Sequence, residues 1–294
     1  MLRDFFTLYI SLVCGHLGLD SLSNGGGKFK RIGAAVLVVV FGGFFLINEL
    51  WLMIPLTKAA AAMEYPGLAI EISVLFAAVM GFLFAFYSIM RGVLFAGDLA
   101  LLAPLPVKRS CIYHSKAAYA YTCTFFACAA VMLPAFGVYA SVVGGGLGFW
   151  LRALAVIFLF PVMPMAAATV VAAPIALLGG KGRDASAFCK HAATVTVPIF
   201  DVFLAWLCVK SGNRGDLLGG FLSTHWAQFK AWSVPPLSWT SLSVCSGGMT
   251  SLITLVLFCG AAAAGIVIVS WILRTMFARR VSRVLMTPRD RAMK

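Results

Sequence analysis

Six stretches of this chain are apolar over 18 or more residues, without the alternation or one-sided stripe of an element that faces water: 32–55, 67–90, 117–143, 153–178, 192–209 and 250–273. A helix needs about 20 apolar residues to cross a bilayer. A uniformly apolar helix buries every face in protein or lipid. The pattern predicts an all-α, polytopic membrane protein of six transmembrane helices.

The breaks between these stretches differ in kind. Gly144-Gly145-Gly146-Leu147-Gly148 predicts a tight turn after the third span. Pro161, Pro164 and Pro174 predict at least one kink in the fourth, where the missing amide opens the helical ladder. Residues 211–248 are too polar for a span. Leu217, Leu218, Phe221, Leu222, Trp226, Phe229, Trp232 and Trp239 make them too apolar for a solvated loop. One or two short helices that dip back into the bilayer fit this re-entrant-like segment, broken at Pro235-Pro236.

Before the first span, Asp4, Thr7, Ser11, Cys14 and Gly18 share one helical face, and Phe5, Phe6, Tyr9, Ile10, Val13 and Leu17 share the other. This predicts an amphipathic elbow helix in the headgroup plane rather than a cleavable leader. Three regions are therefore expected. Residues 1–27 form the interfacial helix and linker, 28–273 the transmembrane domain, and 274–294 a basic cytoplasmic tail.

Charge then orients the chain. Of its 23 Lys and Arg residues, 18 fall in segments 1–31, 91–116, 179–191 and 274–294. The other five are Lys58, Arg152, Lys210, Arg214 and Lys230. Basic residues concentrate on cytoplasmic loops, which places both termini in the cytoplasm of a multi-pass plasma-membrane (cell inner-membrane) protein. Composition agrees, with 62% hydrophobic and 11% charged residues and a mean hydropathy of +0.97, far from a water-soluble domain. The net charge of +13 belongs to loop orientation, and no nucleic-acid partner is expected.

Candidate chemistry is sparse. Gly25-Gly26-Gly27-Lys28 is followed by Phe29 and does not meet the GxxxxGK[ST] pattern, nor does Gly179-Gly180-Lys181-Gly182. Metalloprotease and nucleophile-elbow motifs do not occur, and His16, His114, His191 and His225 are scattered over both predicted sides. The eight cysteines include no CxxC and suit small packing residues. The chain is read as a non-enzyme with no cofactor of its own and no metal site. An ionised carboxylate at mid-bilayer costs about 2.5–3.5 kcal/mol on insertion scales. Glu49, Glu71 and Asp201 inside predicted spans are therefore candidates for a translocation path, with interfacial snorkelling the alternative for the first two and a structural hydrogen bond within the bundle the alternative for Asp201. On that basis the chain could also be an ion- or proton-coupled secondary transporter or a channel, or a membrane scaffold without transport.

The loop after the second span is more specific. In Gly97-Asp98-Leu99-Ala100-Leu101-Leu102-Ala103-Pro104-Leu105-Pro106-Val107-Lys108-Arg109, Leu99, Leu102 and Leu105 recur at steps of three. They give a short apolar ridge that a partner's groove would grip. With Lys116 at the entry to the third span, this run resembles the signature after the second span in permease subunits of type-2 ABC exporters, most of all the branch with a typical Asp-Leu-x-Leu-Leu…Leu-Pro-Val run. The layout of elbow helix, six spans and re-entrant segment is similar too. The resemblance implies a permease powered by a separate ATP-binding-cassette ATPase subunit. That subunit would dock on Asp98, Leu99, Leu101, Leu102, Leu105, Pro106, Lys108 and Arg109. It also implies a homodimer, or a heterodimer with a second permease, in the lipid bilayer.

Overall fold

The structure, a computed structural model, describes residues 7, 9, 28–62, 67–94, 109–178, 235 and 237–291. Seven α-helices carry the fold among them: α1 (Lys28–Ala62), α2 (Gly67–Ser88), α3 (Arg109–Tyr139), α4 (Leu147–Leu159), α5 (Val162–Leu178), α6 (Leu237–Cys245) and α7 (Gly248–Arg291). Wider π-helical turns continue α2 over Ile89–Leu94 and α3 over Ala140–Gly144. There is no strand among the described residues. Among the described residues five segments are long and apolar enough to cross a membrane: Gly42–Ala62, Gly67–Ser88, Ser110–Gly144, Leu147–Ile175 and Gly248–Met276. The chain is an all-α membrane protein. The predicted span 192–209 lies outside the described residues.

Helices close their own backbone hydrogen bonds, which a bilayer demands of any segment crossing it. The hydroxyls inside these spans follow the same rule. Thr57 donates to the Met53 carbonyl, Ser88 to Ala85, Thr124 to Ala120 and Thr169 to Met165, each within its own helix.

Helix α2 lies at the centre. It packs along α3 on one side and against α5 and α6 on others, while α7 covers α5 and α6, and α1 lies against α3 and α2. Toward one end, Ile89, Met90, Ile112, Met165, Val269 and Leu273 form a core. Toward the other, Val74, Met132, Phe136, Phe149, Phe160 and Phe258 form a second. A smaller cluster of Met53, Leu56, Leu68, Ala69, Ala135 and Val138 joins α1 to α2 and α3. Lipid is as apolar as leucine, so close contact rather than water exclusion holds such helices together. Gly81 shows how close: a Cβ there would lie 2.5 Å from Cys128 Sγ and 2.9 Å from Pro164 Cγ, so α2, α3 and α5 meet where α2 has no side chain. The outer faces are the reverse, with Leu252, Val256, Val267 and Trp271 of α7 exposed, as a lipid-facing surface requires.

The fourth span breaks at Phe160-Pro161, between α4 and α5, as its prolines predict. It also begins earlier than expected, at Leu147 rather than residue 153. The glycine turn before it is tight. Gly144 has φ +95°, which favours a residue without a Cβ, and the Gly145 amide closes onto the Ala140 carbonyl at 3.0 Å. Helix α7 continues past the predicted span into the basic segment 274–294, as far as Arg291, over a sequence rich in helix formers. At about 1.5 Å per residue, its 44 residues reach well past a bilayer core.

Of the predicted elbow helix, Thr7 and Tyr9 are described and helical, and the Tyr9 hydroxyl lies 2.8 Å from Thr122 Oγ1 on α3. Of the re-entrant-like segment, α6 is described. It is a nine-residue helix with Thr240, Ser241, Ser243 and Val244 buried against the bundle.

Candidate functional site

Two polar assemblies sit at opposite ends of the bundle, with one isolated carboxyl along α1. At the Lys116 end, the predicted docking loop leaves α2 through the π-helical turn Ile89–Leu94 and returns at Arg109, the first residue of α3. Asp98, Leu99, Leu101, Leu102, Leu105, Pro106 and Lys108 lie outside the described residues, but the two stems of the loop are described and tied together. Lys116 reads in the sequence as a loop cation. It is 1% exposed inside α3, and its Nζ donates to the Gly92 carbonyl at 3.0 Å. A π-helical turn leaves carbonyls out of the ordinary ladder, and such turns favour functional positions. Nearby, the Tyr113 hydroxyl donates to the Ser270 carbonyl of α7 at 3.0 Å. The adjoining ends of α2 and α3 are thus tied to each other, and α3 to the middle of α7, where the loop emerges.

At the Gly145 end, α6 is latched down by Arg152 of α4. Its Nε donates to the Gly148 carbonyl at 3.0 Å, and its Nη1 donates to the Ser246 carbonyl at 3.1 Å and to Ser251 Oγ. Ser251 in turn donates to the Ser243 carbonyl at 2.8 Å. On the other flank of α6, the Ser241 hydroxyl donates to Glu71 Oε1 at 3.3 Å. Between them, burial pushes the Cys245 thiol up to about 12; Tyr139 and Arg152 act against this shift, and Glu71 adds to it. That keeps Cys245 a thiol and not a nucleophilic thiolate. The assembly is a guanidinium clamp around a short helix. Glu71, expected either on a path or at the interface, takes part in holding α6.

Glu49 is different. Its side chain is 2% exposed, so it does not snorkel, and neither carboxyl oxygen has a hydrogen-bond partner among the described residues. Asp201 lies outside the described residues, so the structure brings neither Glu49 nor Glu71 together with it. Among the described residues, no three His, Cys, Asp or Glu side chains converge to hold a metal ion. A wholly apolar groove of about 390 Å³ runs between α2 and α5, lined by Val79, Phe82, Leu83, Met163, Pro164 and Leu237 among others.

Sequence reasoning found Glu49 and Glu71 but missed Arg152 and the burial of Lys116. The signal for Lys116 was a single cation in an otherwise uncharged run from Ser110 to Thr124. Arg152 stands just as alone between Gly148 and Pro161.

These features define an α-helical, multi-spanning membrane protein with latched ends. Its sequence matches no family model and no curated protein, and its structure matches no solved structure.

Proposed function

We propose that this chain is the membrane permease subunit of an ABC exporter, moving its substrate with energy from ATP hydrolysed by a separate subunit. The observation that carries the reading is the Lys116 clamp. The sequence segment with the leucine repeat follows a π-helical turn, and a buried ammonium ties that turn to the next span. A push on such a loop passes directly into α2 and α3, the central pair of the bundle. The resemblance of residues 97–109 to the exporter signature supports the same role. The loop and both termini then face the cytoplasm of the plasma membrane, and two copies, or one copy and a second permease, make the complete pathway.

Orientation is tested by labelling single cysteines in a cysteine-free background with an impermeant maleimide. Gly146→Cys is expected to react from outside, and Ser186→Cys only after permeabilisation. Gly146 suits the purpose because a Cβ there meets nothing within 4 Å, whereas at Gly145 it would lie 2.7 Å from the Ala140 Cβ. Reaction of Ser186→Cys in intact cells overturns the topology.

The function is tested by affinity purification of the chain and identification of an ATPase that travels with it. Leu102→Ala or Leu105→Ala is expected to weaken that association by about 1–3 kcal/mol, the scale of an interface hot spot. Arg109→Glu should act mainly through association rate and salt dependence. If the leucine variants bind the ATPase and stimulate hydrolysis as the parent does, the loop is not the coupling element.

A further inference from the structure

Glu49 sits in α1 with apolar residues around it in sequence on both faces. Leu46, Ile47, Leu50, Trp51 and Ile54 are exposed, while Leu52, Met53 and Leu56 are buried. Both carboxyl oxygens are buried and without a hydrogen-bond partner among the described residues. The buried hydroxyls of Thr57 on α1 and Ser73 on α2 donate instead to the carbonyls of Met53 and Ile70. A polar group with two acceptor oxygens, withdrawn from water and unpaired, is costly unless something occupies it. In membrane spans such a group marks a binding or relay position by default.

The helix around Glu49 can also give way. Gly42-Gly43 lies about two turns before it, and a Cβ at either glycine would meet nothing within 4 Å. Pro55 lies less than two turns after it, inside the helix. Glycine pairs and prolines are where long helices bend. The Glu49 segment of α1 is therefore bounded by two points where a helix can bend, and among the described residues α1 packs against α2, α3 and the π-helical turn Ala140–Gly144.

We propose that Glu49 is a cation-binding site within the membrane, one that exchanges a proton for a lipophilic cation. In the closed bundle the carboxyl carries a proton. When α1 bends away, the proton leaves to water, and the carboxylate pairs with a quaternary or tertiary onium group whose apolar body lies against the α1 and α2 side chains. Charge balances, one proton out for each monovalent cation in. The occupant needs a positive charge because the site offers a carboxylate, and an apolar body because Phe45, Met53 and Leu56 offer no further polar contact. The other titratable side chains around this segment are Lys58 on α1 itself, Glu71 in residues 67–80 of α2, and Cys128 and Tyr139 in residues 125–139 of α3, and the π-helical turn Ala140–Gly144 has none. Glu71 accepts from Ser241, Cys128 donates to the Ala77 carbonyl, and Tyr139 hydrogen-bonds with Cys245. Among the described residues no charged group acts on Glu49, so a cation entering there meets no competing ion pair from them.

The site does not depend on an ATPase partner, and its test uses the purified full-length chain alone in lipid nanodiscs. Tetraphenylphosphonium is the probe, with binding measured by equilibrium dialysis and proton release by a pH indicator in weakly buffered solution. One proton is expected to leave per cation bound, and affinity should rise by up to about tenfold per pH unit, as competition for one group requires. E49Q should lose both binding and proton release, while D290N keeps them. Should E49Q fail to assemble, the parent chain carries the test: dicyclohexylcarbodiimide should modify Glu49, and tetraphenylphosphonium should protect it. Binding without proton release, binding that survives E49Q, no binding to the parent chain, or no protection overturns the proposal. Any of these leaves the ATPase reading standing, just as failure to find an ATPase leaves this site standing.

Discussion

Arg152→Leu is expected to release α6 from the bundle and lower stability by about 3 kcal/mol, read as a shift in reversible unfolding of the detergent-solubilised chain. The leucine covers much of the same apolar contact but supplies none of the three donors. The carbonyls of Gly148 and Ser246 and the hydroxyl of Ser251 then lose a charged donor at once. Hydrogen bonds to a charged group contribute about 1.5–3 kcal/mol, and the buried Ser251 hydroxyl, left without its donor, adds to the loss. Arg152→Lys should recover only part of it, because a single ammonium cannot reproduce the planar fork that reaches several acceptors together. The local signature is Cys245. Freed from its half-buried place, its thiol should react with maleimide faster in Arg152→Leu than in the parent chain. Unchanged stability with unchanged Cys245 reactivity would remove the clamp from the account of how this end is held.

Gly81→Leu is expected to prevent assembly of α2, α3 and α5, and Gly81→Ala to cost about 1–3 kcal/mol, the usual scale of overpacking. The physical reason is distance. A Cβ at this position would stand 2.5 Å from Cys128 Sγ and 2.9 and 3.3 Å from two carbons of Pro164. The proline ring has no rotamer to retreat into, so the α5 backbone must move. The cysteine could turn away, but only by giving up its hydrogen bond to the Ala77 carbonyl. Gly137→Ala, where a Cβ meets nothing within 4 Å, is the matched control and should be close to neutral. The measurement is the fraction of monodisperse protein after extraction, together with its unfolding midpoint. A monodisperse Gly81→Leu of parental stability would show that these three helices do not meet as closely as described.

Much of this architecture is written locally. An apolar run of about 20 residues can only cross the bilayer as a helix, so the spans beginning near Lys28, Gly67, Arg109, Leu147 and Gly248 follow from composition alone, to within several residues at their ends. Gly144 and Pro161 act through their own backbones, the first by allowing a positive φ and the second by lacking an amide, so the turn and the break were legible before any neighbour was known. Basic charge marks the side of the membrane but does not stop a helix, so α7 runs on through the basic residues 274–291.

The state of the polar side chains was decided elsewhere. Whether Lys116 is a solvated loop cation or a buried clamp depends on where the Gly92 carbonyl lies, 24 positions earlier in the chain. Whether Arg152 faces water or holds α6 depends on Ser246 and Ser251, nearly 100 positions later. Glu49 and Glu71 are both carboxyls near the same ends of neighbouring spans and look alike in the sequence. Only the packing of α6 gives one of them a serine donor, and only the packing of α1 against α2 and α3 leaves the other buried with its oxygens unmatched. Periodicity and composition report what a segment needs from its surroundings. Which helix meets which, through contacts as close as that at Gly81, decides what each charged group receives.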